Sequence, residues 1–132
     1  MAILDLPVFA ALKGKMLWHQ SRQTLLAENV ANAATPGYRG RDLQAFDFAS
    51  ELQSQAPLTT VTHPRHFRVA ADGASGFATA EAQIFEVTPN GNAVTLEDEM
   101  MKVTSNQLDY QAVTTLYARS IKLIRTALGR AG

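Results

Sequence analysis

The stretch Asn29-Val30-Ala31-Asn32-Ala33-Ala34-Thr35-Pro36-Gly37-Tyr38 divides the chain, because it ends a long helical pattern with a turn. Its last four residues have the composition of a type II turn, with proline second and glycine third, where φ must be positive. Pro36 also disfavours helical backbone at the residue before it. We therefore predict a first helix, from about residue 6 to residue 33, that ends at this turn.

Apolar residues before the turn recur three and four positions apart, the spacing of a helix that packs along one face. His19 and Gln23 interrupt this seam, and polar residues at seam positions can fix the register of two helices. Asp5 is placed to cap the first turn, and Pro7 is tolerated there because first-turn amides have no helical partner. The predicted seam consists of Leu12, Met16, Leu26 and Val30.

The same spacing recurs near the other end, where we predict a second helix from Leu96 to Leu128. Thr95 followed by Asp98 is typical of a capping box, and Gly129 is typical of a helix stop. Asp98 and Lys102 stand one turn apart, in the order that favours an ion pair. The predicted seam of this helix consists of Val103, Gln107, Tyr110, Thr114, Tyr117, Ile121, Ile124 and Leu128.

A second apolar row, which includes Val113, Leu116 and Leu123, runs beside that seam. The two helices can therefore pack on each other and still leave apolar surface for another molecule. We predict a mainly α fold: two long terminal helices paired antiparallel, like a coiled coil, around an irregular middle segment. The chain is expected to form one domain over 1–132, divided into 1–38, 39–94 and 95–132.

The middle segment, 39–94, is rich in glycine and proline and has no sustained helical period. We expect short strands at 67–69 and 84–87 and a mobile loop over 70–82. Leu43, Phe46 and Phe48 are expected to anchor the start of this segment on the helices. Gly14 is expected to weaken the first helix by about 1 kcal/mol relative to alanine.

The composition excludes several classes of protein. Twelve basic and twelve acidic residues give a formal net charge of zero, which argues against nucleic acid as the main partner. The chain has no cysteine, so no disulfide framework is expected. No apolar run is long enough to span a membrane, and the N-terminus lacks the pattern of a secretory signal peptide.

Two sets of residues suggest chemistry, but both have simpler interpretations. His63 and His66 could bind a metal from one helical face, yet Pro64 disfavours a helix there and no third ligand is evident. The three acids 97–99 resemble paired carboxylates of a glycan hydrolase, but acids at a helix start are favoured by the helix dipole. We therefore predict no catalytic residue, no metal and no cofactor.

Residues 29–38 match Asn-x-Ala-Asn-x-x-Thr-x-Gly-Tyr, the signature of the bacterial flagellar axial family, which contains the rod and hook proteins. The segments 41–48, 90–99, 106–112 and 124–129 also resemble rod proteins of the basal body, and the short length fits a rod protein better than a hook protein. The matched positions, which we treat as an assembly signature, are Asn29, Ala31, Asn32, Thr35, Pro36, Gly37 and Tyr38.

The resemblance implies a structural subunit of the proximal rod, in which many copies assemble helically into a hollow shaft that transmits torque. The implied partners are copies of the chain, other rod proteins, the adaptor protein FliE, the MS ring and, in transit, the export apparatus. It also implies a place in the periplasmic rod, reached by type III export without a cleaved signal peptide.

Three other interpretations remain open from the sequence. The chain could be a different proximal rod protein of the same family, or a helical binding module unrelated to flagella that docks one partner. An enzyme such as a peptidoglycan hydrolase is the least favoured, because no motif of a nucleophile, phosphate loop or metalloprotease is present.

Overall fold

The computed structural model describes residues 6–54, 77–84 and 86–129. The predicted fold class is confirmed, since two long helices near the ends of the chain pack on each other beside a two-stranded sheet. The elements in chain order are α1 (Pro7–Ala31), β1 (Arg41–Leu43), α2 (Phe48–Ser54), β2 (Thr79–Glu81) and α3 (Leu96–Ala127).

Helix α1 begins at Pro7, where a missing amide costs nothing because first-turn amides lack helical partners. The N-cap position is Leu6, without a side-chain cap, and the predicted cap Asp5 lies outside the described residues. The helix ends at Ala31, two residues earlier than predicted. The turn after it is confirmed as type II: Gly37 has φ of 71°, and the Tyr38 amide donates to the Thr35 carbonyl at 3.3 Å.

Helix α3 starts after Thr95, as predicted, but the capping box is wrong because the Thr95 side chain makes no capping hydrogen bond. Helices α1 and α3 run antiparallel. Phe9 near the start of α1 packs edge-to-face on Tyr117, with ring centroids 5.5 Å apart, while Asn29 near its end meets Glu99. At 1.5 Å per residue α1 is about 37 Å long and α3 about 48 Å, so the last turns of α3 extend past the start of α1 at Pro7.

The buried seam of α3 differs from the predicted one. Its buried residues are Glu99, Asn106 and Val113, which are seven apart. Gln107 is exposed and Asn106 takes the buried position beside it. Leu128 is 60% exposed because it follows the end of α3, past the start of α1. Among the other predicted seam residues, Leu12 and Leu26 are buried, and those partly buried are Met16, Val30, Val103, Tyr110, Thr114, Tyr117, Ile121 and Ile124.

The middle segment corrects two predictions. Strand β1 pairs antiparallel with β2, Asp42 opposite Ala80, so β2 lies within the stretch expected to be a mobile loop. No strand forms at Ile84 or Val87, and the strand predicted at 67–69 lies outside the described residues, as does Phe85. The amides and carbonyls of Ile84 and Val87 are not in the ladder because β1 has only three residues to pair.

Helix α2 is absent from the sequence-based prediction. Asp47 starts it, since its carboxylate accepts the amides of Ala49 at 3.0 Å and Ser50 at 3.2 Å. The predicted anchoring of this region on the helices is confirmed at Phe46, whose ring lies 6.4 Å from that of Trp18 on α1. The core thus lies along α1, between α3 on one side and β1 and α2 on the other.

Candidate functional site

The signature residues meet two other parts of the chain at one end of the α1–α3 pair. We call this region the signature junction: residues 29–41, the loop 88–94 that leads into α3, and the first turn of α3 at 96–99. The junction contains every residue that matches the sequence signature, and within it the chain enters and leaves the middle segment.

Asn29 is the centre of the signature junction. It is fully buried, and its amide uses all four of its hydrogen-bonding positions. Its Nδ2 donates to the Arg41 carbonyl at 2.7 Å and to Glu99 Oε2 at 2.8 Å. Its Oδ1 accepts from the Arg41 amide at 2.9 Å and from the Tyr38 hydroxyl at 3.2 Å. One side chain therefore connects the end of α1, the turn, β1 and the start of α3.

Gly40 is buried beside the Asn29 amide. A Cβ at Gly40 would lie 3.4–3.5 Å from the Asn29 amide atoms, which is ordinary van der Waals contact, so the structure leaves space for an alanine there.

Glu99 gives the junction its one buried charge. It is 4% exposed and accepts from Lys102 Nζ at 2.8 Å as well as from Asn29. The predicted Asp98–Lys102 ion pair is therefore wrong, because Lys102 reaches the buried carboxylate instead. Glu97 and Asp98 are exposed while Glu99 is held inside, so the three acids do not face a common cleft.

Asn32 and Asn92 add side-chain donors to carbonyls at and just after the end of α1, each of which also accepts a backbone amide. Buried Asn92 donates to the Asn32 carbonyl at 2.9 Å and the Thr35 carbonyl at 2.7 Å. Asn32 donates to the Glu28 carbonyl at 2.8 Å, and the Thr35 hydroxyl donates to Asn32 Oδ1 at 3.1 Å. Asn32 has φ of −103°, outside the left-handed region.

The turn itself docks by its backbone on the 88–94 loop. The Gly37 amide donates to the Asn90 carbonyl at 3.1 Å, and the Ala93 amide donates to the Tyr38 carbonyl at 3.0 Å. Gly91 has φ of 82°, and a Cβ there would approach Gly37 Cα to 3.4 Å. The remaining signature residues, Ala31 and Pro36, are exposed.

A second polar cluster lies midway along the helix pair, at the predicted seam residues His19 and Gln23. Their partner is Asn106, whose Nδ2 donates to the His19 carbonyl and to Gln23 Oε1, both at 2.9 Å. Asn106 Oδ1 therefore faces His19 Nδ1 at 2.7 Å, and we assign the imidazole proton to Nδ1. His19 Nε2 is buried without a partner among the described residues.

Trp18 and Arg22 attach α1 to the middle segment. The Trp18 indole donates to the Gln44 carbonyl at 2.9 Å, and Arg22 makes two 2.9 Å hydrogen bonds to Asp42. The hydrogen bonds to Asp42 raise the pKa of Arg22 above its ordinary value, with burial opposing the rise. The guanidinium also lies 5.4 Å from the centre of the Trp18 ring.

Two open grooves border α3. One, of about 440 Å³, lies beside the His19 cluster and is lined mainly by uncharged polar side chains such as Gln20, Gln107 and Tyr110. The other, also about 440 Å³, is largely apolar and is lined by Met100, Met101, Thr104, Ser105 and Leu108. Neither groove has a set of acid, base and nucleophile converging on one point.

Within 6–54, 77–84 and 86–129, no group of three potential metal ligands comes together. The predicted histidine pair, His63 and His66, lies outside these ranges. None of the helices in the same ranges combines the length and the apolar character that crossing a membrane requires.

Sequence reasoning missed three of the buried polar residues here: Asn92, Glu99 and Asn106. Glu99, Asn106 and Val113 follow one another at seven-residue intervals on one face of α3, but two of the three are polar, so a search for apolar spacing does not find them. Asn92 gave no periodic signal, since it lies in a loop.

Comparison with known proteins finds relatives in several bacteria that share one name. The flagellar basal body rod protein FlgB of Cereibacter sphaeroides is 35% identical over 115 residues, which cover 86% of this chain and 87% of that protein. FlgB of Escherichia coli K12 is 34% identical, over 76% of this chain and 78% of its own length. FlgB of Salmonella typhimurium LT2 is 31% identical, with the same coverage.

No protein-family model matches the chain. The identities nevertheless exceed 30% over more than two thirds of the sequence in relatives from more than one species. They agree with the signature at 29–38 and with the pairing of the two terminal helices. The chain belongs to the FlgB family of flagellar basal body rod proteins.

Proposed function

We propose that this protein is a structural subunit of the proximal rod, where many copies stack helically into a hollow drive shaft. The observation that carries the proposal is the outer surface of α3. Met101, Leu108, Leu116 and Leu123 are all more than half exposed although α3 is already packed on α1. Apolar area of this kind is typical of a surface that other subunits cover.

The proposed role is mechanical. Torque would pass along the paired helices, and the signature junction would resist their separation because its polar groups are buried and saturated. Exported subunits would pass through the lumen of the shaft. The chain would act as one domain over 1–132, with the assembly signature and the helix seam as its structural elements.

The proposed partners are copies of the chain, other rod proteins, the adaptor FliE and the MS ring, with the export apparatus as a transient partner. The proposed location is the periplasmic part of the basal body, reached without a cleaved signal peptide. A catalytic role is not proposed: Glu99, the buried acid, is already bonded to Asn29 and Lys102.

The test is deletion of the gene in its own bacterium, followed by electron microscopy of isolated basal bodies and a swimming assay. We expect base rings without a rod, and no swimming, with both restored by the intact gene supplied in trans. Rods of normal length in the deletion strain would refute the proposal and favour a binding module outside the flagellum.

A further inference from the structure

The first half of α3 carries an apolar groove on a face that α1 does not cover. We call it the methionine groove, formed by Met100, Met101, Thr104, Ser105 and Leu108. Met101 is 71% exposed. The methionine groove is shallow, with an open volume of about 440 Å³, because all five lining residues belong to one helix. Methionine side chains adapt to the shape of what they contact, which suits a docking surface.

The second half of α3 carries two exposed leucines. Leu116 and Leu123, which we call the leucine ridge, are seven residues apart and lie on one side of the helix. Leu123 is 70% exposed. Leu116 is eight residues from Leu108, which turns it by about 80° around the helix axis. Leu123 is 22 residues from Met101, which turns it by only about 40°, so the groove and the ridge occupy successive stretches of one broad side of α3.

The charged side chains of α3 change sign between its first half, which carries the methionine groove, and its second half, which carries the leucine ridge. In the first half, Glu97, Asp98 and Asp109 are exposed, while Lys102 is bonded to buried Glu99. The second half contains Arg119, Lys122 and Arg125, all exposed, and no acid between 111 and 127. The groove thus lies in an acidic stretch and the ridge in a basic one.

We propose that the methionine groove of one copy binds the leucine ridge of a second copy. The acids beside the groove then face the bases beside the ridge, whereas two grooves or two ridges brought together would place like charges in contact. The whole chain has no net charge to oppose self-association. Apolar contact supplies the attraction, and the charges select the pairing.

The contact is heterologous when neighbouring α3 helices run parallel and staggered, because it then joins two different stretches of the same helix. Each copy keeps a free ridge or a free groove in that arrangement, so addition continues, whereas an antiparallel pair would bury both at once and close into a dimer. The open arrangement is the one that the proposed shaft requires. The centres of groove and ridge are roughly 20 Å apart along α3, which requires neighbouring helices to be staggered. This inference rests on the proposed function and specifies a contact between the subunits that it requires.

The chain has no cysteine, so introduced cysteines report the contact without background. The full chain with Met101→Cys is mixed with a differently tagged chain with Leu123→Cys and oxidised. We expect mixed disulfide dimers to exceed either homodimer by about tenfold or more. Leu17→Cys, exposed on α1, is the matched control and should not cross-link preferentially with Leu123→Cys. Homodimers in excess, or no preference, would overturn the proposal.

Charge exchange tests the pairing independently of the apolar contact. Adding Arg119→Glu and Lys122→Glu to the Leu123→Cys chain should lower the mixed cross-link about tenfold. Adding Glu97→Lys and Asp98→Lys to its Met101→Cys partner should then restore it. Circular dichroism of each variant checks that helix content is retained. Equal yields for all combinations would contradict the charge selection and with it the proposal.

A chain that carries both Met101→Cys and Leu123→Cys separates open from closed association. We expect a ladder of disulfide-linked multimers; dimers alone would overturn the open arrangement. Failure of the docking is distinguishable from failure of the proposed function. If these cross-links are absent but the gene restores rods in the deletion strain, only the docking is wrong. If they form but rods never depended on the gene, the proposed function is wrong.

Discussion

Asn29 shows at the scale of a single residue how one buried amide joins the end of α1 to the turn, β1 and the start of α3. Its amide donates twice and accepts twice inside a site with no access to water. No other side chain of that size offers both two donors and an acceptor oxygen. From the sequence alone Asn29 could be given only a general role near a helix end. Its true partners are 9 to 70 residues away, and local patterns do not encode contacts at that distance.

Replacing Asn29 with aspartate tests this site with almost no change of shape. Asn29→Asp removes both donors and places a carboxylate against Glu99, so we expect a loss of about 3 kcal/mol or more in the free energy of unfolding. Adding Glu99→Gln restores a donor opposite the introduced carboxylate and should recover at least about 1 kcal/mol. Urea unfolding at neutral pH measures both.

Asn32→Asp, at a partly buried position of the same junction, is the matched control. Its loss should be smaller because its side chain is within reach of water. A loss at Asn29 no larger than that at Asn32, or no recovery in the double variant, would show that the Asn29–Glu99 contact does not stabilise the junction.

The His19 cluster makes a second prediction at this scale. Asn106→Leu leaves the His19 Nδ1 proton and Gln23 Oε1 without a buried partner, which should cost about 2–3 kcal/mol. Changing His19, Gln23 and Asn106 together to leucine removes every unpaired group and should regain most of that loss. Thermal or urea unfolding gives the comparison.

Gln107→Leu is the control for Asn106→Leu, since Gln107 is adjacent and exposed, and its effect should be within about 0.5 kcal/mol. Equal effects at 106 and 107 would mean that the cluster adds no stability. They would also favour the seam predicted from the sequence, in which Gln107 and not Asn106 faces α1.

At the scale of elements, the sequence predicted what depends on local chemistry. The spacing of apolar residues predicted the positions of α1 and α3. Proline followed by glycine predicted the turn at 35–38. The three-residue strands were missed because they exist through pairing across 36 or more residues, with little sequence pattern of their own. The α3 seam was placed one residue off at Gln107 because the true buried residues there, Glu99 and Asn106, are polar, and apolar spacing cannot find them.

Two glycines give opposite predictions for the same substitution. Gly14 lies inside α1, and a Cβ there would meet Phe46 at 3.6 Å and Glu51 at 3.8 Å, which are ordinary contacts. Gly14→Ala should therefore stabilise the protein by up to about 1 kcal/mol through helix propensity. Gly37 has φ of 71° with no neighbour within 4 Å, so Gly37→Ala should destabilise it by about 1 kcal/mol through backbone strain alone.

Thermal unfolding of the two variants beside the parent protein measures this contrast. If Gly14→Ala destabilises the protein, the packing of α2 and Phe46 on α1 must be tighter than the structure shows. If Gly37→Ala is neutral, the type II turn is not required for the fold.

At the scale of the whole molecule, the two helices divide into parts with different surroundings. From Glu99 to Tyr117, α3 contacts α1 through two buried polar clusters and an aromatic pair. The last turns of α3 extend past Pro7 and expose Leu123, and Leu128, which follows the helix, is exposed as well. The sequence predicted that apolar surface would be left over, but not where, because that depends on the unequal lengths and the register of the helices.

This division predicts how the isolated chain exchanges its amide hydrogens. Amides of α3 between Glu99 and Tyr117 should exchange only by opening of the α1–α3 pair, because their helix is held by buried contacts on that side. Amides from Ile121 to Ala127 should exchange faster, through local fraying that breaks no contact with the polar clusters. Hydrogen exchange followed by mass spectrometry resolves the two segments, and protection of 121–127 should rise when the chain is built into rods. Uniform protection along α3 in the isolated chain would contradict the prediction, since it would mean that the end of α3 is already stabilised without neighbouring subunits.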